Sequence, residues 1–149
     1  MTYYGVKKSI SDPKPIKKLI GKMDNKKSLS KLKKELDKVF NSFIRKRDSL
    51  NGSFVCISCN NMKSIKQIQA GHYHSCRFTA IRWDEKNVNG QCVSCNVFDQ
   101  GNFSGYTKGM LKKYGQNTID ILEIKKNNKC KMTEFEYHLL INHYKKLNA

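Results

Sequence analysis

The sequence predicts an α+β domain in which a few short strands, stabilised by a metal site, lie between helices. Three observations predict this class: apolar residues recur at helical spacing towards both ends, short strand-like segments fall in the middle, and two CxxC pairs flank that middle. A chain of 149 residues with 38% hydrophobic residues suits one domain with a modest core. A bound metal would add the stability that such a core lacks.

Residues 1–27 are predicted to be a basic, flexible N-terminal arm, and residues 28–149 a single domain. The arm holds Pro13, Pro15 and many lysines, with little apolar periodicity. A solvated tail without a binding role is the alternative interpretation of this arm.

The first helix is predicted to begin at Ser28 or Ser30 and to end near Asn51-Gly52. Its apolar stripe should face the core and consists of Leu32, Leu36, Val39, Phe40, Phe43 and Ile44. Three basic side chains near its end are candidate phosphate contacts or simply face water: Arg45, Lys46 and Arg47.

Short strands are predicted in the centre. Phe54-Val55 leads into the first cysteine pair, and the alternation from Ile65 to Ala70 predicts a strand that delivers His72 at its end. The segment 79–83 is a further candidate strand, 84–90 a polar loop, and Asn96 begins a short helix or turn.

Three helices are predicted in the last third of the chain. The first covers 106–114 and is closed by Gly115, and the second covers 118–126. Thr133 with Glu136 fits a capping box, which predicts a last helix over 134–147. The side chains expected to pack in the core are Trp83, Tyr106, Leu140, Ile141, Tyr144 and Leu147, and a base-stacking role is the alternative for Trp83 and Tyr106.

The charge of the chain predicts a polyanionic partner. Lys and Arg outnumber Asp and Glu by 29 to 12, for a net charge of +17. The net charge is +10 over residues 1–50, +2 over 51–103 and +5 over 104–149, so two basic segments flank a nearly neutral centre. Arg77 and Arg82 are the candidate DNA contacts of that centre. A lysine-rich composition without a binding role is the alternative.

The cysteines predict a structural zinc site. Cys56 with Cys59 and Cys92 with Cys95 form two pairs that together offer four sulfur ligands. No apolar run reaches the roughly 18 residues of a membrane span, and no signal peptide is evident, so a reducing cytosol is expected. A disulfide scaffold is the alternative for the pairs. Cys76 and Cys130 should be free thiols, and His138 and His143 surface residues.

The segment between the pairs carries a candidate catalytic constellation. His72 follows a strand, Asn87 lies in a later loop, and Asn96 directly follows Cys95. These are the parts of a ββα-metal, or HNH, nuclease site. A neutral imidazole can take a proton from water, an asparagine carbonyl can orient the ring, and an asparagine oxygen can ligate Mg²⁺ or Mn²⁺. The alternative is that His72 is a zinc ligand or a buried structural histidine.

Several motifs resemble the phage NinG (Rap) recombination endonuclease family. They are Gln69-Ala70-Gly71-His72-Tyr73, Arg82 to Val88, Gln91-Cys92-Val93-Ser94-Cys95-Asn96, and Gly101-Asn102 with Tyr106. The resemblance implies a ββα-metal core with flanking helices. It also implies a phage-encoded nuclease in the host cytoplasm that cuts branched DNA such as Holliday junctions or D-loops, with His72 as base, Asn87 as its orienter and Asn96 as metal ligand.

One position departs from the wider HNH pattern. Many HNH proteins carry a metal-binding Asp directly before the catalytic histidine, where this chain has Gly71. His74, Asp84 and Asn102 are candidates for a second ligand of the catalytic metal, although His74 fits a structural or phosphate-contacting role better. Two other functions stay open: a non-catalytic zinc-containing DNA-binding module and a protein-interaction zinc domain. A homodimer would suit symmetric cleavage of a junction.

Overall fold

The structure is a computed structural model that describes residues 28–149. The predicted N-terminal arm lies outside the described residues. The helices are α1 (Leu29–Arg47), α2 (Phe103–Tyr114), α3 (Gln116–Lys126) and α4 (Glu134–Asn148), and the strands are β1 (Ser49–Leu50), β2 (Ser53–Val55), β3 (Met62–Ser64), β4 (Ile68–His72) and β5 (Val88–Cys92). This confirms the mixed α+β class.

Helix α1 begins as predicted but ends earlier. The Ser28 side chain caps its first turn, and its buried stripe is Leu32, Leu36, Phe40 and Ile44. Asn51 and Gly52 do not close the helix, because both adopt positive φ angles, 50° and 76°, and form the turn of the β1–β2 hairpin. An Asn-Gly pair suits such a hairpin turn because both residues tolerate positive φ.

The central strands β4 and β5 form an antiparallel hairpin in which His72 pairs with Val88. The segment Ile65–Gln67, predicted as the start of a strand, is a 3-10 turn, and β4 begins at Ile68. The strand predicted over 79–83 is wrong, since Thr79–Ile81 is a 3-10 turn. The true partner β5 lies partly in the predicted polar loop. All five of its residues are buried, so it lacks the alternation that marks a half-exposed strand.

Helices cover both faces of the β4–β5 hairpin. Val88 and Ala70 pack into the cluster formed by α1 and α4. On the opposite face, the Tyr106 hydroxyl of α2 donates to the Gly71 carbonyl at 2.8 Å and lies 3.3 Å from the Asn89 amide nitrogen. Tyr106 is buried with Tyr73, as predicted for a core residue. The hairpin is thus a central layer between two helical layers.

A short π-helical turn, Ser94–Phe98, follows β5 directly. Farther on, Gly115 at φ 82° closes α2, and the predicted capping box of α4 is present. Leu147 was expected in the core but is 44% exposed, whereas Ile141 and Tyr144 are buried. Between residues 28 and 149, no helix has the length and apolar character that crossing a membrane requires.

Candidate functional site

The four paired cysteines meet in space. The sulfur atoms of Cys56, Cys59, Cys92 and Cys95 all lie within 4.8 Å of one another, and those of Cys59 and Cys92 are 4.0 Å apart. A tetrahedral zinc ion with Zn–S bonds of about 2.3 Å separates its sulfurs by about 3.8 Å. The cluster therefore fits a metal ion such as zinc, and the predicted grouping of the four cysteines is confirmed.

Backbone amides support the thiolate form of one of these sulfurs. The Cys92 amide donates to the Cys56 sulfur at 3.3 Å. Burial alone would raise the pKa of Cys56, but hydrogen bonds from the amides of Cys59, Cys92 and Ser58 outweigh it and lower this pKa. Burial raises the pKa of Cys92 and Cys95. Four clustered thiolates need a cation to balance their charge.

The ring of His72, at the end of β4, is oriented by a backbone carbonyl. Its Nε2 atom lies 3.0 Å from the carbonyl oxygen of Arg82. A carbonyl can only accept, so Nε2 carries the proton and Nδ1 keeps its lone pair. No hydrogen bond to Nδ1 is found among the described residues. Burial lowers the pKa of His72, although the Arg82 carbonyl opposes this, so the ring is neutral near pH 7.

Arg82 is itself held by an acidic residue of α1. Its Nε and Nη2 atoms donate to the two carboxylate oxygens of Asp37 at 2.8 and 2.7 Å. Its Nη1 atom donates to the Cys76 carbonyl at 2.7 Å, and Trp83 also donates to Asp37 at 2.9 Å. The Arg82 guanidinium is therefore held by Asp37 and the Cys76 carbonyl, and its role as a DNA contact stays a prediction. Asp37 was missed because nothing in its local sequence distinguishes it from a solvated residue.

Asn87 does not contact the His72 ring, contrary to the orienting role expected for it. Its side chain is fully buried, and its amide accepts from the His74 amide at 2.9 Å. The same side chain donates to the carbonyls of His74 and Ile81, both at 3.1 Å. Asn87 therefore fixes the backbone that follows His72. The ring itself is oriented by Arg82.

Asn96 lies on the π-helical turn after Cys95 and contacts β4. Its Nδ2 atom donates to Oε1 of Gln69 at 2.6 Å, a short hydrogen bond. Because Nδ2 makes this hydrogen bond, Oδ1 is the atom of the Asn96 amide that is left as an acceptor. Gln69 stands three residues before His72 in the same strand, so Asn96 is anchored to the strand that carries the histidine, without touching its ring. Sequence patterns alone did not single out Gln69.

The structure also explains the glycine before His72. A Cβ atom at Gly71 would meet the Gln91 side chain, lying 2.9 Å from its Cβ. Gln91 is fully buried and cannot easily move, since its Nε2 donates to Ser58 at 2.7 Å and to the Gly101 carbonyl at 2.6 Å. An aspartate before the histidine is sterically excluded in this arrangement.

Each candidate for a second metal ligand has another contact. His74 has Nε2 3.3 Å from a Glu123 oxygen, off the hydrogen-bond direction, and this buried nitrogen has no hydrogen-bond partner in residues 28–149. Asp84 pairs with Lys125 at 3.2 Å. Asn102 caps α2 through Gly105 and lies 3.5 Å from the Cys95 sulfur. Within the described range, the cysteines are the one group of three or more His, Cys, Asp or Glu that could hold a metal.

The other residues predicted to contact DNA differ in how far the protein itself engages their side chains. Arg47 donates to Asp48, Asn89 and two backbone carbonyls, and its role as a DNA contact stays a prediction. Arg45 and Arg77 are exposed, and the Lys46 amine reaches the Asn148 carbonyl at 3.2 Å. Arg45 and Lys46 line a shallow groove that also includes Gln69. The groove therefore contains both exposed positive charge and Gln69, the hydrogen-bond partner of Asn96.

Comparison with known proteins identifies relatives. A family model described as "Bacteriophage Lambda NinG protein" matches residues 8–148. The Protein ninG of Escherichia phage 933W is 36% identical over 95 residues, which are 63% of this chain and 45% of that protein. The Protein ninG of Escherichia phage lambda is 33% identical over 111 residues, 70% of this chain and 52% of that protein. The chain spans about half the length of these curated relatives. No solved structure matches it.

Proposed function

The chain belongs to the NinG family of bacteriophage proteins, and from this membership we propose that it is an HNH-type endonuclease that hydrolyses phosphodiesters in branched DNA. The proposed substrates are recombination intermediates such as Holliday junctions or D-loops, and the proposed location is the cytoplasm of the host bacterium. The order of β4, β5 and the short helical turn after them supports a ββα-metal core.

The observation that carries this proposal is the fixed tautomer of His72. With Nε2 donating to the Arg82 carbonyl, the free lone pair of Nδ1 is the proton acceptor. Burial lowers the pKa of His72, which keeps the ring neutral at the pH of a cell. As water attacks phosphorus, Nδ1 takes one of its protons, the new P–O bond forms, the bond from phosphorus to the 3′ oxygen breaks, and solvent protonates that oxygen. The products carry 5′-phosphate and 3′-hydroxyl ends.

Asn96 is the proposed protein ligand of the catalytic metal. Its Oδ1 atom is a hard oxygen of the kind that Mg²⁺ and Mn²⁺ prefer, and Gln69 holds the amide in that orientation. A bound Mg²⁺ or Mn²⁺ would stabilise the negative charge that develops on the phosphate and the departing 3′ oxygen. Gly71 offers no carboxylate, so Asn96 is the protein residue that would hold the ion in this proposal.

The zinc cluster has a structural part in this proposal. Cys92 ends β5, and Cys95 lies on the turn that presents Asn96. A metal at the four sulfurs would therefore fix the turn against β5 without taking part in hydrolysis. Exposed cations would hold the DNA backbone, and the groove with Arg45 and Lys46 is the proposed path of one strand.

Cleavage of defined DNA structures tests the function. The protein would be incubated with a four-way junction, a three-way junction and a linear duplex, each with Mg²⁺, Mn²⁺ or no added metal. We expect metal-dependent nicks near the branch point, whose ends DNA ligase can reseal because they carry 5′-phosphate and 3′-hydroxyl groups. The absence of nicks with either metal would contradict the proposal.

The competing function is a non-catalytic zinc-containing DNA-binding module, which the charge and the cysteine cluster would serve equally well. It predicts salt-sensitive binding of branched DNA without nicks under any metal. A protein-interaction zinc domain predicts no salt-sensitive DNA binding. The same incubation, followed by a binding titration at two salt concentrations, separates these functions.

A further inference from the structure

Apolar side chains project into solvent on the turn that carries Asn96. Phe98 is 80% exposed and Val97 is 54% exposed, directly after the proposed metal ligand. Phe103, which begins α2, is 57% exposed and stacks on Tyr73 with ring centroids 4.9 Å apart. Val97 and Phe98 are neighbours in sequence, and adjacent exposed apolar side chains are candidates for an interaction site.

The backbone around Phe98 is held firmly although the ring is free. The Asp99 amide donates to the Ser94 carbonyl at 2.9 Å, and the Gly101 amide donates to the Cys95 carbonyl at 2.9 Å. The Gly101 carbonyl in turn accepts from buried Gln91 at 2.6 Å. An aromatic ring on a fixed turn loses little conformational freedom when it binds a partner.

The surroundings indicate a nucleic acid as this partner. Asn96, two residues before Phe98, is bonded to Gln69, and Gln69 lines the groove that holds Arg45 and Lys46. The groove with exposed positive charge is therefore linked to the turn that carries Phe98 through one hydrogen bond, from Asn96 to Gln69. Proteins that bind unpaired nucleotides combine these two features, with cations on phosphates and aromatic rings on base faces.

We propose that Phe98 is a wedge that stacks on an unpaired or unstacked base at the branch point of the DNA. This inference rests on the proposed function. It adds an explanation of how the protein would distinguish branched DNA from a linear duplex. In a duplex every base is already stacked on its neighbours, so the ring gains little there. At a branch the base pairs are open or easily opened, and the exposed ring replaces a lost stacking partner.

Binding of a junction labelled with 2-aminopurine beside the branch tests the wedge. The 149-residue chain would be titrated without added divalent metal, so that no cleavage accompanies binding. We expect the intact protein to change the fluorescence of the labelled base. Phe98→Ala should bind the junction roughly tenfold more weakly and lose that change, with linear duplex binding unaltered, because stacking on one base contributes about this much affinity. Phe98→Trp should restore both signals.

Phe135→Ala is the matched control, because Phe135 is 74% exposed on α4 and plays no part in the proposed site. It should bind like the intact protein. Junction affinity and fluorescence of Phe98→Ala within twofold of the intact protein would overturn the wedge while leaving the nuclease proposal standing. Phe98-dependent junction binding without cleavage under any metal would support the wedge and contradict the nuclease. Failure of the intact protein to bind DNA would overturn both.

Discussion

The guanidinium of Arg82 is held by both carboxylate oxygens of Asp37, while the carbonyl of the same Arg82 accepts the hydrogen bond from His72. Helix α1 therefore controls the orientation of the proposed base through one intermediate residue. Asp37 lies 45 residues before Arg82, so this relation exists only in the folded chain.

Replacing Asp37 should impair cleavage while leaving binding unchanged. In Asp37→Asn the two-armed ion pair is lost, the Arg82 carbonyl can shift, and the His72 ring loses its fixed position. We expect the single-turnover cleavage rate to fall by about 10- to 100-fold. Asp120→Asn is the control, since Asp120 contacts exposed Gln116 on α3. An unchanged rate in Asp37→Asn would show that the ring does not depend on this pair.

Gln69 should affect the response to the catalytic metal. Gln69→Leu removes the 2.6 Å hydrogen bond that orients Asn96, so its Oδ1 is no longer directed to one place. We expect the Mg²⁺ concentration for half-maximal cleavage to rise by about tenfold or more, since partners of metal ligands contribute this much. Gln67→Leu, at an exposed position of the neighbouring turn, should respond like the intact protein. Equal metal dependence in both variants would remove Gln69 from the site.

A zinc ion held by the four clustered cysteines should be a major source of stability. We expect elemental analysis to find about one zinc per chain, and Cys56→Ser to lose the metal and melt roughly 10 °C lower or more, because a structural zinc contributes folding free energy directly. Cys76→Ser and Cys130→Ser are controls, since both cysteines are exposed and outside the cluster. Full zinc content and unchanged melting in Cys56→Ser would contradict the assignment.

The pH dependence of cleavage should reflect the buried imidazole. Burial lowers the pKa of His72 below its ordinary value of about 6.5, so the ring stays neutral to lower pH than a free histidine. We expect the acid limb of the single-turnover rate to have its midpoint below pH 6.5. The unfolded chain takes up this proton first, so acidification below that value also costs the fold stability. An acid limb centred above pH 7 would contradict a buried neutral base.

Because the packing around Gly71 is close, any side chain at this position should lower the free energy of unfolding. Gly71→Ala forces its new methyl group against Gln91, and overpacking of this kind costs about 1–3 kcal/mol of unfolding free energy. Combining it with Gln91→Ala removes the Oε1 and Cδ atoms of Gln91 from this contact and leaves only its Cβ, so part of the overpacking is relieved and the double variant should be more stable than the sum of the two single effects predicts. Denaturant unfolding measures all four proteins. Strict additivity would show that Gln91 is not the obstacle.

The features that could be predicted from the sequence are those that residues close together in the chain determine. Thr133 and Glu136 are close enough in sequence to specify their capping box, and the CxxC spacing specifies a metal site without knowledge of the fold. The apolar period of α1 likewise predicts its four buried residues, while Val39 and Phe43 of the predicted stripe are half-buried beside them. The helix end was misplaced because Asn51-Gly52 fits both a helix end and a hairpin turn.

The remaining features depend on contacts between distant segments. Strand β5 was missed because helices bury it on both faces, which removes the alternation of a strand. Arg82 and Asn87 have the residue types expected of a nuclease site, but their partners are chosen by the fold: Asp37 for one and the backbone of His74 for the other. The partnership of Asn96 with Gln69 is hidden for the same reason.

The most direct measurement of the central claim is the single-turnover cleavage of a four-way junction by His72→Ala, with Mg²⁺ and with enzyme in excess. Junction affinity measured in parallel separates chemistry from binding. If His72 is the general base, the rate should fall by about 10²- to 10⁴-fold while affinity stays within about twofold. Cleavage as fast as that of the intact protein would contradict the assignment of His72 as the base.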